Sequence, residues 1–220
     1  MSDYNMRLKV HQDNLGSASE GVWTELKGSK RGEACIIDFY TEMMLEGRAF
    51  QIRGGTISVP LVGTVTITDT QAEMCVDAPN GITAMIVALN LSINLGAGTL
   101  HEYALKSVDA VSTSGTAFVP LSCLVESNQI NSRCTARVAA TAGTVTVTAE
   151  TATTTRRHWS GSNPVAVGAG HSFTSYDYQP RTPPSIANAA CAYVQLGAAT
   201  TGPSWFGSMD FIELPWVNVE

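Results

Sequence analysis

The stretch Ile82–Leu95, ITAMIVALNLSINL, decides the fold class. Successive side chains of an extended chain point to opposite sides. Thr83, Met85, Val87, Leu89, Leu91, Ile93 and Leu95 are therefore expected on one face, and Ile82, Ala84, Ile86, Ala88, Asn90, Ser92 and Asn94 on the other. The second face starts apolar and turns polar after Ala88, which predicts a long strand covered on both sides at its start and on one side at its end. Burial of each large apolar side chain is worth about 1.5–3 kcal/mol, against a net domain stability of about 5–15 kcal/mol. A strand with this much to bury belongs in the middle of a sheet.

Outward from this strand, Leu100–Val108, Ala117–Val125, Arg133–Ala139, Thr144–Glu150, Ala190–Leu196 and Trp205–Leu214 read as further strands divided by Gly, Ser, Asn and Asp turns. Such spacing is that of a sandwich or barrel. Upstream, Ala34–Arg53 is ambiguous: its first dozen residues fit an amphipathic helix, but Cys35, Ile37, Phe39, Thr41, Met43 and Leu45 also alternate. Strands are the preferred reading there. Gly55–Leu61 and Gly115–Leu121 share the pattern G-T-x-x-V-P-L, and Gly63–Thr68 resembles Gly143–Thr148. The unequal offsets favour one local solution used twice over two similar halves. Residues Met1–Gly32 lack a periodic apolar face and read as an arm with a short strand at Met6–Val10, anchored by Trp23 between Val22 and Leu26. Lys27, Lys30 and Arg31 read as a solvated loop. The expected organisation is an arm over 1–32 and a single β-sandwich over 33–220. Thr151–Pro184 reads as a long irregular stretch with one short strand near Ser172–Tyr176, and loops of that length are usually functional.

Only 15% of the residues are charged while 44% are hydrophobic, which fits a surface largely covered by neighbouring copies and equally a very stable monomeric sandwich. A net charge of −6 argues against direct nucleic-acid binding, which requires clustered Lys and Arg. No apolar run reaches membrane-spanning length, and the start MSDYNMRLKVHQDN lacks the apolar core of a secretion signal, so synthesis in the cytoplasm is expected. Cys35, Cys75, Cys123, Cys134 and Cys191 are scattered and odd in number. They read as buried reduced thiols and not as a disulfide framework or zinc site, with a Cys123–Cys134 bridge across a hairpin left open.

No catalytic, cofactor or metal motif is present. His11, His101, His158 and His171 are far apart, and there is no nucleophile elbow, phosphate loop or dinucleotide fingerprint. Asp38, Glu42, Asp210 and Glu213 are the carboxylates a glycosidase would draw on. The sharper constellation is Arg156, Arg157, His158 and Trp159, followed by Phe173, Tyr176 and Tyr178. Aromatics with Arg anchor protein interfaces; exposed, they also stack on sugars. The interface reading is preferred, with Trp23 as a further candidate anchor. Asn90-Leu91-Ser92 matches a glycosylation sequon but falls inside the central strand.

The Ala/Thr/Val-rich strands, the arm Met1–Gly32, Gly63-Thr-Val-Thr-Ile-Thr68 and the closing Phe211-Ile-Glu-Leu-Pro215 resemble single-jelly-roll virion structural proteins, especially phage capsid, decoration and head-fibre proteins. The resemblance spans most of the chain. It implies an all-β, jelly-roll-like two-sheet antiparallel sandwich with an N-terminal arm, located in the virion. It also implies non-enzymatic assembly with other copies and other virion proteins through homotrimers, without cofactors. The acidic balance favours an outer or cementing position over an inner shell. A carbohydrate-binding, lectin-like or receptor-binding module, with a glycan as partner, is the alternative, and a hydrolase is a third class.

Overall fold

The computed structural model describes residues 7–9, 23–25, 38–65, 67–94, 101–125, 130–139, 145–163, 173–198 and 202–215. The elements of the first half are β1 (Arg7–Lys9), β2 (Trp23–Glu25), helix α1 (Phe39–Leu45), β3 (Ala49–Gly54), β4 (Leu61–Val62), β5 (Gln71–Ala72), β6 (Met74–Ala78), β7 (Ile82–Asn94) and β8 (His101–Val108). Then follow β9 (Thr116–Phe118), β10 (Leu121–Ser122), β11 (Thr135–Val138), β12 (Val145–Thr146), β13 (Thr155–Asn163), β14 (Phe173–Tyr178), β15 (Ser185–Ala187), β16 (Ala190–Ala198) and β17 (Ser204–Pro215).

Eight strands form a nest of antiparallel pairs: β3 with β17, β6 with β16, β7 with β14, and β8 with β13. Rolling the nest lays β17 against β7 and β16 against β8. The results are one sheet ordered β10-β3-β17-β7-β14 and a second ordered β13-β8-β16-β6-β11-β9. This is the jelly roll, and the two-sheet antiparallel sandwich expected from the strand pattern. The central stretch and the closing strand, β7 and β17, pair along almost their whole length in the middle of the first sheet.

Apolar faces of both sheets meet in the main core, where Phe50, Leu89, Leu91, Leu105, Val194, Trp205 and Phe211 are buried. The second sheet is also apolar on its outer face, where Cys75, Val108, Tyr193 and Val147 form a smaller core. Helix α1 covers part of the outer face of the first sheet, packing Met43 with Ala49, Ile212 and Leu214.

Three expectations need correction. The faces of the central strand do not alternate throughout. Asp210 pairs with Ala88 and Phe211 with Ile86, so Val87 has no partner opposite it on β17. This β-bulge switches parity, and Ile82, Ala84 and Ile86 share the main core with Leu89, Leu91 and Ile93. Met85 and Val87 turn instead toward α1.

The segment 39–45, preferred as strand, is helix α1. Asp38 caps it, accepting from the Thr41 N–H at 3.0 Å and from the Thr41 hydroxyl. Tyr40, Met43 and Met44, at helical spacing, meet the sheet. Finally, Thr151–Pro184 is less irregular than expected: the short strand anticipated near Ser172–Tyr176 is β14, and β13 is a second strand that was not anticipated. Its Ser, Gly, Thr and Arg content hides edge strands, whose outward positions need not be apolar.

The described part of 1–32 is the antiparallel pair β1–β2, in which Trp23 stands opposite Lys9. Its expected packing with Val22 and Leu26 lies outside the described residues, as do Cys35, Lys27, Lys30, Arg31, His11 and His171. Cys75, Cys123, Cys134 and Cys191 are free thiols, so Cys123 and Cys134 are not bridged.

Candidate interaction surface

Strands β13 and β14 end the two sheets on the same side of the sandwich. Alternation along β8 turns Tyr103 and Leu105 inward, and alternation along β14 turns Tyr176 and Tyr178 inward to pack on the main core. In β13 the register shifts between Arg157 and Trp159, leaving His158 in a bulge and bringing Trp159 opposite Leu105.

The outcome is an aromatic seal between the sheet edges. Tyr103 lies 4.6 Å from Trp159 and 4.5 Å from Tyr176 between ring centres, and Trp159 stacks on Tyr178 at 5.5 Å. The His101 imidazole meets the Tyr176 hydroxyl at 3.0 Å. Gly161 is required there, because a Cβ on it would come within 2.3 Å of the Tyr103 hydroxyl. Burial holds His101 below the ordinary histidine range and raises the Tyr103 and Tyr178 phenols. His158 is also held low, by burial and then by Arg156, and its Nε2 lies 2.8 Å from the Ser107 hydroxyl.

Of the residues singled out in the sequence, Trp159, Tyr176 and Tyr178 come together. Phe173 faces the other way, packing edge-on against Phe206 at 4.9 Å. Arg156 and Arg157 are exposed. Arg157 lies 3.5 Å from Glu150, which also pairs with the buried Lys106. His101 and Tyr103 were missed, although their alternation with Leu105 on a predicted strand carried the signal. Tyr103 is buried, Trp159, Tyr176 and Tyr178 are half-buried, and the rings cover one another's faces, so they present no open platform for stacking a sugar.

The carboxylates do not converge. Asp38 caps α1. Asp210 lies on the outer face of the first sheet, where Gln51 donates to it at 2.7 Å and burial raises its pKa. Glu213 is buried, accepting from the Ser132 hydroxyl and from the N–H groups of Arg133 and Cys134.

One cluster was invisible to spacing arguments: Cys75, Asp77 and Cys191 bring their ligand atoms within 4.8 Å of one another, all buried. Cys191 stands directly opposite Asp77 across β16 and β6. Asp77 is already served by the Ser112 N–H at 2.7 Å, the Ser112 hydroxyl at 2.6 Å and the Arg137 guanidinium. Burial pushes the Cys191 thiol well up. As it stands the cluster is a hydrogen-bonded ion pair beside two buried, unbridged cysteines.

The fold and this edge together define a single jelly roll closed on one side by its own aromatics. Comparison with protein-family models, with curated proteins and with solved structures finds no match for the chain.

Proposed function

We propose that this chain is a virion structural protein, a capsid or capsid-decorating subunit that assembles with further copies of itself as homotrimers and with other virion proteins, without catalysis. The observation that carries the reading is the nested pairing of the eight strands into one jelly roll. That fold is common to viral shells and also to lectins and small-molecule enzymes. What favours assembly over those is the scarcity of charge, 15% of residues, and the absence, among the described residues, of an open aromatic platform. The net charge of −6 favours an outer or cementing position over contact with packaged nucleic acid.

Mass measured by light scattering, alongside a glycan array on the same preparation, tests this. Assembled particles or trimers without glycan binding are expected. A stable monomer that binds glycans overturns the reading in favour of a carbohydrate-binding module. Turnover of a glycoside that disappears on neutralising Asp210 or Glu213 would instead establish a hydrolase.

A further inference from the structure

We propose that the edge of the sandwich opposite the aromatic seal, where β4 and β10 carry the two G-T-x-x-V-P-L segments, is the surface on which a second copy of this chain docks. The inference rests on the assembly reading above and names the contact that reading requires.

Every exposed large hydrophobic side chain among the described residues lies in residues 39–65 or 111–130, and none lies between 131 and 215. Five belong to the two segments and the turn beyond them: Ile57 is 74% exposed, Val59 68%, Val119 53%, Leu121 56% and Val125 86%. Antiparallel pairing sets Leu121 opposite Gln51 and Ser122 opposite Phe50. The chain before Leu121 therefore runs back toward Gly54, where the loop carrying Ile57 and Val59 leaves β3. Beside them Leu121 and Val125 line a groove with Tyr40 and Arg53, about 340 Å³ in volume.

The two segments begin and end alike. Gly55 and Gly115 both adopt positive φ, +62° and +67°, a conformation glycine enters without steric cost. Each then leads through Val-Pro into a two-residue strand that starts at a leucine, Leu61 or Leu121. The repeat is thus shared at its glycine and its Val-Pro-Leu exit, while between them Thr116–Phe118 pairs with β11 as β9 and residues 56–59 close a turn. Pro60 and Pro120 offer no N–H to an added strand, so at these two positions a partner docks through side chains.

Charge narrows the occupant. Residues 54–68 and 110–125 contain no Asp, Glu, Lys, Arg or His, and only Arg53 and Asp210 in the groove beside them carry charge, so the ridges themselves offer a partner apolar contact, as the assembly of further copies requires. Two apolar ridges side by side on one edge let Val59 of one copy meet Val119 of the next, the heterologous contact that closes a ring such as the proposed trimer. Exposed side chains of this number amount to roughly 400–600 Å² of apolar surface, the size of the largest patch a monomer exposes, which is often functional. That is a fitting centre for an interface burying about 800 Å² per partner.

The test is light scattering across a concentration series on the wild type, Val59→Asp and Leu121→Asp, with circular dichroism confirming the fold. The expected result is an assembled wild type and at least a tenfold weaker association in each variant. A mixture of Val59→Cys and Val119→Cys proteins should also form oxidative heterodimers at least fivefold more readily than either protein alone or the wild type, and this holds as a readout even where an aspartate perturbs folding. A wild type that assembles while both aspartate variants assemble equally well, with no preferred heterodimer, overturns the inference and leaves the assembly reading standing. A wild type that remains monomeric throughout overturns both.

Discussion

Glu73 is 1% exposed, and one of its carboxylate oxygens has no partner among the described residues. The other accepts from the Thr64 N–H at 2.8 Å. Desolvation dominates that hydrogen bond, and the pKa rises from 4.5 to about 7. The fold therefore favours the protonated form. Between pH 4.5 and 7 the folded chain binds more protons than the unfolded one, so this group's contribution to stability falls as pH rises through that window and is flat outside it. The full shift corresponds to about 3 kcal/mol. His101 and His158, held low by burial, act with the opposite sign as pH falls below the unfolded histidine value, so the wild-type profile alone mixes the two effects. Glu73→Gln isolates one of them. The variant should gain on wild type by about 2–3 kcal/mol between pH 4.5 and pH 8 in urea denaturation, whatever constant offset the amide introduces. A difference independent of pH would show that the carboxyl titrates normally.

At the scale of elements, the bulge in β7 and the seal at β13 and β14 each give a mutational signature. Ile86→Ala and Leu89→Ala should both cost about 2–5 kcal/mol by leaving cavities, although strict alternation would place them on opposite faces. Asn90→Ala, at an exposed position, should cost less than 1 kcal/mol. Cheap loss of Ile86 would return the strand to simple alternation. Trp159→Ala removes a ring packed on Tyr103 and Tyr178 and should cost about 2–4 kcal/mol of folding stability while leaving the assembled mass unchanged. A change in mass without a change in stability would make this edge the subunit contact. These are also the places where sequence reading stopped short. Period-2 patterning exposed β7, β8, β16 and β17, because each buries at least one continuous face. It could not reveal the Val87 bulge, since an extra residue leaves both flanking patterns intact. It passed over β13, whose Arg156, Arg157, Ser160 and Ser162 point to solvent. It also mistook α1, because seven residues from Phe39 to Leu45 satisfy both periods and only the Asp38 cap breaks the tie.

At the scale of the whole molecule, the nest pairs the ends of the chain's body before its middle: β3 meets β17 across more than 150 residues, with Gly54 opposite Gly207. Sequence could identify the strands but not this order, because pairing is set by which rolled arrangement buries the apolar faces together. Among the described residues the three buried clusters run from Tyr40 to Leu214. The β1–β2 ladder in 1–32 is only three pairs long, too short to be stable by itself. Deleting Met1–Gly32 should accordingly leave the jelly roll folded, with a midpoint in chemical denaturation close to that of the full chain and an unchanged cooperativity, while weakening assembly if the arm orders against neighbouring copies. Denaturation and light scattering on the truncated chain separate the two effects. Failure of the truncated chain to fold even at low concentration would show that β1 and β2 belong to the sandwich itself, and that its core extends beyond the three clusters.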